Sequence, residues 1–174
     1  MGITFSATDV LCYGGNNGAI STTIAGGASP YTYTWNNGSS DADINTLSAG
    51  MYVLTVVDDN GCEAVDSIEI KEPAGLDLVL SSTDVSCYGE ATASVQSNIS
   101  GGTSPYTYSW DNGYSTSDIS GLTSGSYALT VTDNNGCVTS KTIQVNQSPE
   151  LIVSSDVNDV LCYGASSGSI QLNV

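Results

Sequence analysis

Apolar and polar residues alternate with a period of two along most of this chain. Ile3 and Phe5, Ile20 and Ile24, the trio Tyr31, Tyr33 and Trp35, then Tyr52, Leu54 and Val56, and finally Ile68 and Ile70 are each separated by polar or small residues. In an extended strand such positions share one face, so the pattern predicts strands half-buried on one side. Turn residues fall between them: Gly26-Gly27, Asn37-Gly38 and Asn60-Gly61. The last pair, placed between two strand patterns, predicts a two-residue type I′ hairpin turn. No segment shows helical spacing. The count is six or seven short strands with an apolar inward face, which reads as an all-β sandwich. Leu47 to Tyr52, a Leu, a turn Gly and a Tyr entering a strand, resembles the tyrosine corner of immunoglobulin-like sandwiches.

The whole pattern then occurs again. Cys12, Cys87 and Cys162 recur at one constant interval, the same that separates Cys62 from Cys137, and laying residues 1–75 over 76–150 without a gap gives 32 identities. SPYTYTWNNG at Ser29–Gly38 returns as SPYTYSWDNG at Ser104–Gly113, and Leu47, Gly50 and Tyr52 return as Leu122, Gly125 and Tyr127. The predicted organisation is a first β-sandwich repeat at 1–75, a second at 76–150, and at 151–174 the N-terminal stub of a third. The fold class is all-β, as tandem immunoglobulin-like β-sandwich repeats with those boundaries. A third of a β-domain needs support, so the stub is expected either to pair with another chain or to belong to a longer array.

Charge narrows the choice of partner. With 2 Lys plus Arg against 18 Asp plus Glu, the formal charge is −16, which opposes binding to nucleic acid or to an anionic membrane surface. No apolar run is long enough to span a bilayer, so direct membrane insertion is not expected. No signal peptide opens the chain, which is read as a soluble piece of a longer precursor.

Each complete unit holds two cysteines at matching places, an even count in a domain small enough to need stapling. The expectation is Cys12–Cys62 and Cys87–Cys137, with Cys162 left unpaired or available for an intermolecular bond, in an oxidising compartment. A zinc site is disfavoured, because there is no His and only two thiols per unit.

The aromatics invite two readings. Tyr31, Tyr33 and Trp35, with Tyr106, Tyr108 and Trp110, could form a stacking platform for sugars, but large aromatics on one face of a central strand are usually core. Together with Tyr52 and Tyr127 they are assigned to the core. Tyr13, Tyr88 and Tyr163, each beside a cysteine, are candidates to line a joint between units. Asp9, Asp84 and Asp159 recur near the unit starts, and Asp58 and Asp133 before the Asn-Gly turns, so they are candidate calcium ligands. The plainer role is turn capping and solubility, and no EF-hand loop is present. No cofactor is required. Without His, a P-loop or a G-x-S-x-G sequence, and with Asp41 and Asp43 paralleled by Thr116 and Asp118, an enzyme is not expected.

The combination CYG, then GG.SPYTY.W..G, then L..G.Y.LTV.D.NGC resembles the SprB repeat of large bacterial cell-surface adhesins. That resemblance covers both units and the stub. It implies tandem arrays in proteins exported by type IX secretion and displayed outside the cell, some serving gliding motility. It implies neighbouring repeats, other copies of the filament and an extracellular surface or glycan as partners, and it brings no catalytic residues.

Overall fold

The computed structural model describes residues 1–164 and 166–174 and contains only strands and their connections among them. The first unit has β1 (Gly2–Thr8), β2 (Gly18–Ala25), β3 (Thr32–Trp35), β4 (Ile44–Leu47), β5 (Gly50–Val57) and β6 (Glu63–Ile70). They form two three-stranded antiparallel sheets, ordered β1-β2-β4 and β3-β5-β6. The second unit repeats this arrangement as β7 (Asp77–Thr83), β8 (Ala93–Ser100), β9 (Thr107–Trp110), β10 (Ile119–Leu122), β11 (Gly125–Thr132) and β12 (Val138–Val145). Its sheets are β7-β8-β10 and β9-β11-β12.

Register explains the two faces. Trp35 lies opposite Leu54 and Tyr33 opposite Val56, so alternate residues of β3 and β5 point into the sandwich. There they meet Ile20, Ile44 and Leu47 of the other sheet. Leu54 and Val56 are fully buried, as are Leu129 and Val131 in the second unit. Each such side chain contributes about 1.5 to 3 kcal/mol relative to exposure. The tyrosine corner is present in both units: Tyr52 Oη donates to the Ser48 carbonyl at 3.0 Å and Tyr127 Oη to that of Thr123 at 2.9 Å. The fold is an all-β, immunoglobulin-like sandwich.

One expected turn takes a different form. Strand pairing ends at Val57 and Glu63, and the Gly61 amide donates to the Asp58 carbonyl at 2.9 Å, while of Asn60 and Gly61 only Gly61 has positive φ, 81°. This is a longer connection closed by a left-handed glycine, not a two-residue I′ turn. The cause is Asp58, whose Oδ1 accepts from the Asn60 and Cys62 amides at 3.0 and 2.8 Å and so shapes the loop around itself.

Residues 151–174 begin the pattern again. β13 (Ser154–Asn158) pairs with β14 (Ser169–Asn173), and the pairing of Val157 with Ile170 is that of Ala7 with Ile20 carried forward by two repeats. Ile20 is buried and Ile170 is 72% exposed.

Candidate functional site at the joint between units

The loop after β1 is clamped to the far end of β6. Val10 N donates to the Lys71 carbonyl at 2.9 Å, and the Lys71 amide donates to Asp9 Oδ1 at 2.8 Å. Val10 is buried, and the Gly14 amide donates to Glu72 Oε2 at 2.6 Å. The second unit repeats the clamp: Val85 N to the Asn146 carbonyl, Asn146 N to Asp84 Oδ1, and Gly89 N to Gln147 Oε1. Cys12 therefore sits at the end of the first unit where the chain leaves for the second.

The second unit presents its β11–β12 turn to this end. Asp133 is 5% exposed, with Oδ1 accepting from the Asn135 and Cys137 amides at 2.9 and 2.8 Å and Oδ2 from Thr103 N at 2.8 Å. Burial pushes its pKa up, and the amides of Thr103, Cys137, Asn135 and Gly136 together pull it below the usual aspartate value. The pKa of Asp58, in the same place in the first unit, is lowered by the amides of Ala28 and Cys62. The turn so fixed points Asn135 and Cys137 across the joint. Asn135 Nδ2 donates to the Leu11 carbonyl at 2.9 Å and to Thr103 Oγ1 at 3.0 Å. Cys137 is bonded to Cys12, with their Cα atoms 5.7 Å apart.

The linker is pinned beside them. Gly102 N donates to the Ala74 carbonyl at 2.8 Å, and Gly101 lies directly against the Gly75 backbone, where any side chain would collide. A Cβ at Gly75 would touch the Tyr13 ring at 3.4 Å. Cys12, Tyr13, Gly75, Leu76, Gly136, Cys137 and Val138 enclose a cleft of about 460 Å³.

This overturns the expected disulfides. Cys12 is paired with Cys137 of the next unit rather than with Cys62, and Cys137 is accordingly not paired with Cys87; Cys62, Cys87 and Cys162 are exposed thiols. The physical reason is distance along the sandwich. Cys12 is held beside Lys71, past the end of β6, whereas Cys62 immediately precedes the start of that strand. The full length of that strand spans about 26 Å, far beyond the roughly 4.4 to 6.8 Å a disulfide tolerates between Cα atoms.

Trp35 and Trp110 are buried at 2% and 3% exposure, with indole Nε1 donating to the carbonyls of Asp41 and Thr116, each at 2.9 Å. Tyr31, Tyr33, Tyr52, Tyr106, Tyr108 and Tyr127 are half-buried against the two cores. Tyr31 and Tyr106 donate their hydroxyls to the carbonyls of Gly26 and Gly101. The candidate calcium ligands do not converge. Asp58 and Asp133 hold the hairpin turns, Asp9 and Asp84 the opposite ends, and Asp159 is exposed after β13. Among the described residues no three carboxylates or thiols gather into a metal-binding group, and no helix is long and apolar enough to cross a membrane. Of the joint residues, Tyr13 was marked by its place beside a repeated cysteine, whereas Leu11, Thr103 and Asn135 carried no signal of a contact across units.

The fold is similar to two solved structures. One is the amphioxus IgVJ-C2 molecule, at 14% identity over 76% of this chain and 97% of that one, with a TM-score of 0.36. The other is a C-terminal 282-residue fragment of intimin in complex with the intimin-binding domain of the translocated intimin receptor, at 13% identity over 91% and 67% and a TM-score of 0.45. No curated protein matches the chain in sequence. Residues 4–40 and 79–115 each match the SprB repeat. Each match runs from the first strand of a unit through its SPY segment to just beyond the buried tryptophan, so the repeat units of this chain belong to the SprB repeat family.

Proposed function

We propose that this chain is a stalk or filament segment of a secreted cell-surface adhesin, in which the units carry load rather than catalyse a reaction. The observation that carries the reading is the joint, where a disulfide and a pinned linker join successive sandwiches. A disulfide between units survives in an oxidising compartment, which supports an extracellular location. The charge of −16 supports it too, because it discourages sideways association of exposed strand edges. The aromatics that would serve a sugar platform are engaged in the cores, which favours a spacer over a glycan-binding module. Export by type IX secretion and a part in gliding or surface attachment belong to the same proposal and rest on the family alone.

The test is adhesion by the isolated chain. Beads coated with the oxidised protein are expected to bind neither a glycan array nor glass above the level of albumin-coated beads. Saturable binding to one glycan class would replace the spacer reading with a binding module. Repeating the measurement with millimolar calcium tests the calcium-stiffened version of that alternative.

A further inference from the structure

The half of the joint that Cys12 belongs to is present a second time with its other half empty. Cys87 is the repeat equivalent of Cys12, in a loop held by the same hydrogen bonds at the same end of its sandwich. It lies in a cleft of about 470 Å³ lined by Cys87, Tyr88 and residues 148–151. These are the repeat equivalents of Cys12, Tyr13 and residues 73–76, which include the Gly75 and Leu76 of the first joint. At the first joint the cleft is completed by Gly136, Cys137 and Val138. Their first-unit equivalents, Gly61, Cys62 and Glu63, are exposed at the opposite end of the molecule, with the Cys62 thiol free.

We propose that Cys87 is the acceptor for the Gly-Cys turn of a following repeat unit, and Cys62 the donor to a preceding one. Every joint of the array then carries the bond seen between Cys12 and Cys137. The occupant of the Cys87 cleft is the turn that completes the unit begun by β13 and β14. Closing each bond removes two protons and two electrons from two thiols. A disulfide oxidant accepts them by exchange and leaves as two thiols. The inference rests on the reading of this chain as an array of repeats and on nothing about adhesion.

The mechanical consequence follows from the spacing. Each staple joins cysteines 125 apart in sequence, farther than one repeat unit extends, so successive staples overlap and no unit lies outside one. A pulling force runs through the Cys12 staple to Cys137, along the chain from there to Cys162, and into the next staple of that series. Only that stretch, once in every two units, can be drawn out. At about 3.3 to 3.6 Å per residue it yields roughly 90 Å per two units, against roughly 500 Å without staples. Two folded units at about 30 to 40 Å each already span about 60 to 80 Å. The array is therefore nearly inextensible even if its units unfold.

The test lengthens the full chain at Val174 with its own residues 25–75, which supply the missing strands, tryptophan and cysteine of a third unit. After folding in a glutathione redox buffer, unreduced peptides are mapped by mass spectrometry. Burial of the added tryptophan, read by fluorescence, reports folding of the third unit. If that version does not fold, completion with residues 100–150 serves in its place. The expected result is a peptide joining Cys87 to the added cysteine, alongside Cys12–Cys137. A Cys87 that alkylates freely while the third unit is folded and Cys12–Cys137 is closed overturns the proposal but leaves the array reading intact. A bond from the added cysteine to Cys162 overturns it in favour of staples within units.

Discussion

Pulling the chain from its two ends gives the sharpest measurement of the joint. In the oxidised protein the Cα atoms of Cys12 and Cys137 are 5.7 Å apart, although the two cysteines are separated by 125 positions in sequence. Force applied outside that span bypasses both sandwiches. Unfolding can then release only residues before Cys12 and after Cys137. Reduction, or the substitution Cys12→Ser, puts the enclosed residues back into the line of force. At about 3.3 to 3.6 Å per residue they add roughly 410 to 450 Å of contour length. Optical-tweezers traces with and without a phosphine reductant read this difference directly, and C62S and C87S serve as controls that leave it unchanged. Staples within units, Cys12–Cys62 and Cys87–Cys137, would instead hide two shorter segments, 12–62 and 87–137. They would return two separate increments of about 165 to 180 Å each. Two such increments, or an oxidised chain that lengthens fully without reductant, would refute the joint staple. In solution the same C12S variant is expected to lose roughly 5 kcal/mol, the chain-entropy value for a loop of this length.

Four other outcomes follow from the structure. Leu54→Ala empties a fully buried site in the first core and is expected to cost about 2 to 5 kcal/mol by chemical denaturation. Thr46 is a β-branched residue at φ 58° where the second unit has Gly121 at φ 70°, so Thr46→Gly is expected to stabilise the first unit by roughly 0.5 to 1 kcal/mol. Asp58 and Asp133 have folded pKa values below the unfolded value near 3.8. Their stabilisation is therefore complete above that value and lost as pH falls through the depressed one. The Tm should decline with acid in that window, and the decline should shrink in the double variant D58N/D133N. Because their carboxylate oxygens are engaged by backbone amides, millimolar calcium is expected to leave the Tm unchanged, and a rise would place the ion on other oxygens.

Much of this fold is legible in the sequence because its determinants are local. The alternation through Tyr33, Trp35, Leu54 and Val56 assigns faces without any knowledge of strand order, and these side chains meet in one core. The Leu47-to-Tyr52 segment marks a corner whose hydrogen bond reaches back only from Tyr52 to Ser48. The Asn60-Gly61 pair marks a turn but not its form, since the form depends on Asp58 reaching over two amides. The acidic residues mislead for a related reason: a carboxylate that accepts backbone amides and one that would ligate a cation have the same sequence signature in a turn.

The cysteines could not be paired from sequence, and the repeat itself is the reason. Cys137 is the repeat equivalent of Cys62, so a bond from Cys12 within its unit and one to the next unit obey the same pattern. Loop-closure entropy favours the shorter loop by only about 0.8 kcal/mol, too little to choose between them. What decides is rigid geometry. The clamp between Asp9, Val10 and the Lys71 backbone holds Cys12 a full strand length from Cys62, while the pinned Gly75 and Gly101 bring the next turn within bonding distance. The hydrogen-bonded strands of each unit are thus required before its cysteines can find their partners. A unit that folds poorly should then be stapled wrongly, within itself, rather than left reduced.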